Sequence, residues 1–142
     1  MEESTKGTQA VQQSELQRNM LRAQSADSRI GRGITSGLLD EVCAGAEDFE
    51  KHMEATAKIK IAQREKQGDW EKNSLGLASA ARSLKTAAEK AMKNGEVEVS
   101  AEIVDLYARL TAQLAACARF VNKCVLLPAR EVRPRAFGRV RA

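Results

Sequence analysis

The sequence predicts an all-α protein: an antiparallel three-helix bundle or an assembly of helical hairpins, with flexible arms at both ends and several copies per particle. Three observations predict it. Long stretches are dominated by Ala, Glu, Lys, Leu and Arg, which favour helix. Both prolines, Pro128 and Pro134, lie beyond residue 127, so none interrupts a helix in the central region. Apolar residues recur at steps of three and four, the period of one helix face.

Residues 1–33 read as a flexible arm. They are rich in Gln, Ser, Thr and Gly, and Leu16, Met20 and Leu21 offer only a short stripe. A helix from about Gln9 to Ser25 is conceivable there, but it has too little apolar area to hold closed alone. The run from Gly31 to Gly37 reads as a break before the helical core of 34–127.

The first core helix is expected over about 35–67, with Thr35 or Ser36 as its cap and Asp40 and Glu41 in its first turns. Leu38, Val42, Ala46, Phe49, Met53, Ala57 and Ile61 make its seam, and Gly68 its end. The second is expected over 69–94, capped by Asp69, with Trp70, Leu77, Ala81, Leu84, Ala88 and Ala91 inward and Asn94-Gly95 as the stop. The third, over 100–127, starts at a capping Ser100 flanked by Val99 and Val104 at the spacing of a hydrophobic staple.

Along that third helix Ile103, Tyr107, Leu110, Leu114, Cys117, Val121 and Cys124 follow a heptad-like seam. Ile103, Tyr107, Leu110, Leu114 and Val121 are the residues expected to hold copies together. A second apolar strip, at Leu39, Ile59, Leu75, Leu106, Phe120 and Val125, asks for another packing partner. A homo-oligomer would supply it.

The net charge is +4, and its distribution is uneven. Residues 34–70 are acidic, 71–95 are basic, and the tail 128–142 carries five arginines against Glu131 alone. Arginine binds phosphate through a planar fork of donors, and each phosphate neutralised releases counterions. Arg130, Arg133, Arg135, Arg139 and Arg141 therefore form a candidate nucleic-acid arm, with Phe137 able to stack on a base. Lys85 and Lys93 on the second helix are weaker support, because lysines on a helix ordinarily form a solvated face.

Chemistry of other kinds finds no residues to run on. His52 is the single histidine, and one histidine with three scattered cysteines does not make a zinc site. Cys117 and Cys124 lie about 10.5 Å apart along one helix, beyond the roughly 7 Å a disulfide spans. The odd cysteine count without CxxC spacing reads as reduced thiols. Arg32 between Gly31 and Gly33 is too little for a phosphate loop, and no apolar run approaches the roughly 20 residues of a membrane span. The polar N-terminus lacks a signal peptide's apolar segment, which points to the cytoplasm.

The expectation is a non-enzymatic, oligomeric, helical nucleic-acid-binding accessory protein of the packaging, nucleoid, transfer or replication type. It would need no cofactor or metal, and DNA is favoured over RNA. The competing expectation is a protein-interaction or structural subunit (a scaffold, virion component or chaperone) that binds partner helices along its seams.

Overall fold

The computed structural model describes residues 2–121, with side chains from Glu15 onward. They form α1 (Glu2–Ser36), α2 (Leu39–Ala57), a short 3₁₀ turn (Arg64–Lys66), α3 (Gln67–Lys93) and α4 (Ala101–Phe120), with no strand among the described residues. The described residues are all-helical as expected, but they form four α-helices, not three.

The additional helix is α1, and it corrects the reading of 1–33 as a flexible arm. Leu16, Met20, Ala23, Ala26 and Ile30 are all buried in the common core. Their steps of four, three, three and four follow one helix face, and two of the five are alanines that add little apolar signal. Of the glycines read as a break, Gly31 and Gly33 lie within the helix, whereas Gly37 follows its last residue. A Cβ on Gly31 would stand 2.6 Å from the Tyr107 hydroxyl oxygen, so this glycine is where α4 comes close.

Both interhelix turns that end on glycine use the same closure. Gly37 has φ +72°, with Leu38 N–H donating to Gly33 O at 2.8 Å and Gly37 N–H to Ile34 O at 3.2 Å. Gly95, also at φ +72°, is matched by Glu96 N–H to Ala91 O at 3.0 Å and Gly95 N–H to Met92 O at 3.1 Å. Each is the paired-hydrogen-bond ending that a left-handed residue makes possible. Thr35 and Ser36 therefore finish α1 and do not cap the next helix. The Thr35 hydroxyl donates back to Gly31 O at 3.0 Å, and Leu38 precedes α2 without any side-chain cap.

α2 ends at Ala57, ten residues short of the expected 67. The chain then leaves helical geometry so that Ile59 and Ile61 both turn into the core while Lys58 and Lys60 face water. Gly68 and Asp69, expected as a stop and a cap, both lie in the first turn of α3. α4 begins after Ser100, whose Oγ accepts from Ile103 N–H at 3.3 Å.

Contacts between the helices run in opposing directions. On α2 and α3, Glu47 meets Lys85, Glu50 meets Arg82 and Thr56 meets Trp70, so one number rises as the other falls. On α1 and α2, a Cβ on Gly33 would be 3.1 Å from Val42 and one on Gly45 would be 2.8 Å from Ile30, again in opposite order, and Arg29 reaches Glu41 at 2.9 Å. α4 lies against α1, where the Thr111 hydroxyl donates to Asp27 Oδ1 at 2.8 Å. It also lies against α3, where Phe120 stacks on Trp70.

Ile103, Leu110, Leu114 and Val121, expected between copies, are buried inside this one chain, and Tyr107 packs against the same core. The seam is consumed internally, chiefly against α3 and in part against α1. The second strip is largely absorbed too: Leu39 and Ile59 are buried and Leu106 and Phe120 pack on the core, while Leu75 stays 51% exposed. Val125 lies outside the described residues, as does the part of the third helix beyond 121.

Candidate nucleic-acid interface

Three basic side chains on the helices, Arg29, Arg82 and Lys85, are engaged with acids of a neighbouring helix. Arg82 pairs with Glu50 at 2.7 Å and with Glu54 at 3.1 Å, and Lys85 pairs with Glu47 at 2.9 Å. Arg29 on α1 bridges Glu41 and Asp48. The electrostatics follow: hydrogen bonds from Lys85 and Arg29 hold the Glu47 and Glu41 carboxyls below their ordinary values. The same bonds push the Lys85 and Arg29 cations up. The acidic face of α2 thus meets Arg82 and Lys85 of α3, and these two cations are neutralised at home.

One end gathers its cations closely. The connection from α2 to α3 carries Lys58, Lys60, Arg64 and Lys66 against Glu65, and none of these four cations forms an ion pair among the described residues. Lys58, Lys60 and Arg64 are exposed and Lys66 is half-exposed. The loop is also held in place. Gln67 Oε1 accepts Ile61 N–H at 2.9 Å, while Gln67 Nε2 donates to Ile59 O at 3.1 Å and to Glu71 Oε2 at 3.1 Å. Two buried isoleucines beneath and one carboxamide alongside fix the segment that displays the lysines.

α4 finishes at this same end. The Trp70 and Phe120 rings stack with centroids 6.1 Å apart and planes 14° from parallel, and Val121 beside them is buried. The Trp70 indole N–H donates to Thr56 O at 3.2 Å, tying the last turn of α2 to the first turn of α3. Exposed Arg119 adds a further cation there. The chain therefore leaves the described region beside the lysine loop, and only residues 122–127 separate Val121 from the arginine-rich segment.

Of the residues singled out in the sequence, Arg130, Arg133, Arg135, Phe137, Arg139 and Arg141 lie outside the described residues. Lys85 is engaged with Glu47. Lys93 is exposed in the last turn of α3, about 35 Å along that helix from Trp70 at 1.5 Å per residue. Neither lysine joins the basic end. What the sequence reading missed is the loop of 58–66. Its signal is the alternation Lys58-Ile59-Lys60-Ile61, a period of two with β-branched residues, which conflicts with continuing a helix.

No protein-family model matches the chain, and no curated protein or solved structure matches it either. Among the described residues no group of three or more His, Cys, Asp or Glu side chains is disposed to hold a metal, and no helix is long and apolar enough to cross a membrane.

Proposed function

We propose that this protein is a non-enzymatic nucleic-acid-binding accessory factor that grips backbone phosphates with one basic end. The observation that carries the reading is the set of unpaired cations on a pinned loop, next to the point from which the arginine-rich tail continues. The four helices would form a single up-and-down bundle acting as a rigid base for that end. Its phosphate contacts position the protein and carry little sequence information. One chain supplies the whole basic end, and copies repeated along a polyanion would add their contacts.

The test is fluorescence anisotropy of the full chain with a labelled 20-base-pair DNA, an equivalent RNA duplex and a single strand, at about 50 and 200 mM salt. Affinity should fall steeply with salt, since each neutralised phosphate contributes a log–log slope of about −0.9 on duplex DNA. Replacing Lys58, Lys60 and Arg64 together by Ala should flatten that slope by about 3. Replacing the five tail arginines by Ala should remove most of the affinity. An intact chain that binds none of the three probes at about 50 mM salt overturns the reading.

A further inference from the structure

A groove of about 360 Å³ opens between α3 and α4, lined by Lys72, Asn73, Gly76, Leu77, Gln113 and Ala116, with Cys117 at its floor. This volume is near the lower bound of roughly 300 Å³ for small-ligand sites. Small residues create it: Gly76 contributes no side chain, and a Cβ built there would touch nothing within 4 Å. Leu77 is 1% exposed and Cys117 is 3% exposed, so the floor is apolar and belongs to the core. Burial pushes the Cys117 thiol up to about 11, so it stays protonated at neutral pH and behaves as part of that floor.

The rim is polar. Asn73, Gln113 and Lys72 are all exposed. Each carboxamide offers a donor and an acceptor side by side, the arrangement that matches the edge of a nucleobase. Lys72 lies two residues beyond Trp70, and Cys117 lies one helical turn before Val121, so the groove runs directly into the basic end. A flat heteroaromatic ring fits this combination of apolar floor and amide rim, and its attached phosphate would lie toward the cations.

We infer that the groove between α3 and α4 receives one unstacked base of a single-stranded nucleic acid, its edge against the Asn73 and Gln113 amides and its phosphate toward Lys72. The inference rests on the nucleic-acid reading above and adds a preference for single strands to it. A paired base in a duplex has its Watson–Crick edge occupied and its faces stacked, so it cannot enter this groove.

The experiment compares full-length protein with Gly76→Leu and Gln113→Ala variants. The probes are a labelled mixed-sequence 15-nucleotide single strand and the blunt duplex of the same sequence. Gly76→Leu fills the groove from a helical position with open space, and leucine favours helix over glycine, so its thermal melt should be no lower than that of the parent. Both variants should lose about tenfold in single-strand affinity, the scale of one lost base-edge contact, while duplex affinity stays within about twofold. The salt slope on the single strand should be unchanged, because no phosphate contact is removed. Single-strand affinity that survives both variants, or falls in step with duplex affinity, overturns the groove and leaves the basic end standing. A parent chain that binds neither probe overturns the basic end, and the groove falls with it.

Discussion

Trp70 and Phe120 stack with their planes 14° from parallel, which locks the last turn of α4 to the first turn of α3. Trp70 is fully buried, and its indole also reaches the carbonyl of Thr56 at the end of α2. Three helix ends therefore meet on one side chain. Replacing it by Ala should cost about 3–5 kcal/mol, the usual range for emptying a large aromatic site. Trp70→Phe keeps a ring for Phe120 and should cost less, about 1–2 kcal/mol, mostly in packing and the lost indole hydrogen bond. Urea denaturation followed by circular dichroism measures both, and equal losses would refute the assignment of a stacking role.

Two glycines within helices, one buried and one exposed, should respond in opposite directions to the same substitution. At Gly45 a methyl group would press against Ile30 and the α1 backbone, so Gly45→Ala should destabilise by about 1–3 kcal/mol. At Gly76 nothing opposes it, and Gly76→Ala should stabilise by roughly 0.5–1 kcal/mol through helix propensity alone. Denaturant midpoints of the two variants give the signs directly.

Gln67 should govern the order of the lysine loop. Gln67→Ala leaves the Ile61 N–H without its 2.9 Å acceptor and the Ile59 carbonyl without its 3.1 Å donor. The expected cost is about 1–3 kcal/mol, and Ile61 should lose hydrogen-exchange protection before the middle of α2 or α3 does. Retained protection at Ile61 would mean that the two buried isoleucines hold the loop unaided.

The pH dependence of stability contains contributions of opposite sign. Burial raises the Asp27 carboxyl above its ordinary value of 3.8, against the smaller opposing effect of the Thr111 hydroxyl. The folded chain thus holds this proton more tightly than the unfolded chain. Asp27 opposes folding above its raised value, and that penalty disappears as the pH falls toward 3.8. Glu41 and Glu47, lowered by Arg29 and Lys85, act the other way: their contribution is present above their ordinary value and is lost as acid protonates them in the fold. Asp27→Asn keeps an acceptor for Thr111 and should raise stability near pH 7. The gain should shrink as the pH falls through the raised value toward 3.8, as denaturation near pH 7 and near pH 4 would record.

Helical character was legible because composition, proline placement and spacing all agreed. Ser100 is a particularly clear signal: a hydroxyl before an acidic, apolar-patterned run, and it accepts the N–H of Ile103. Two features were obscured by the local chemistry of the chain. Gly31 resembles a helix breaker, yet it lies within α1 because Tyr107, 76 residues later, needs the space. That distant contact has no local signature. Ile61 fits the helical seam of α2 by spacing, yet it enters the core from a non-helical loop because Gln67 satisfies its backbone N–H. The basic tail was legible as charge, whereas the unpaired cations of 58–66 became distinct only once Glu47, Glu50 and Glu54 were seen to occupy Arg82 and Lys85.

On the proposed reading, the close group of bare cations at the α2–α3 loop would give the protein a sense of direction toward a polyanion. Cations tied to neighbouring carboxylates contribute little beyond a Debye length of about 8–10 Å, whereas the bare ones at the α2–α3 loop project their potential outward. A polyanion in solution would feel a torque before contact and draw the molecule in loop-first. Reversing Glu47 and Glu50 to lysine would repel Lys85 and Arg82 and spread positive charge along the side, so that approach would lose its orientation while the net charge rose.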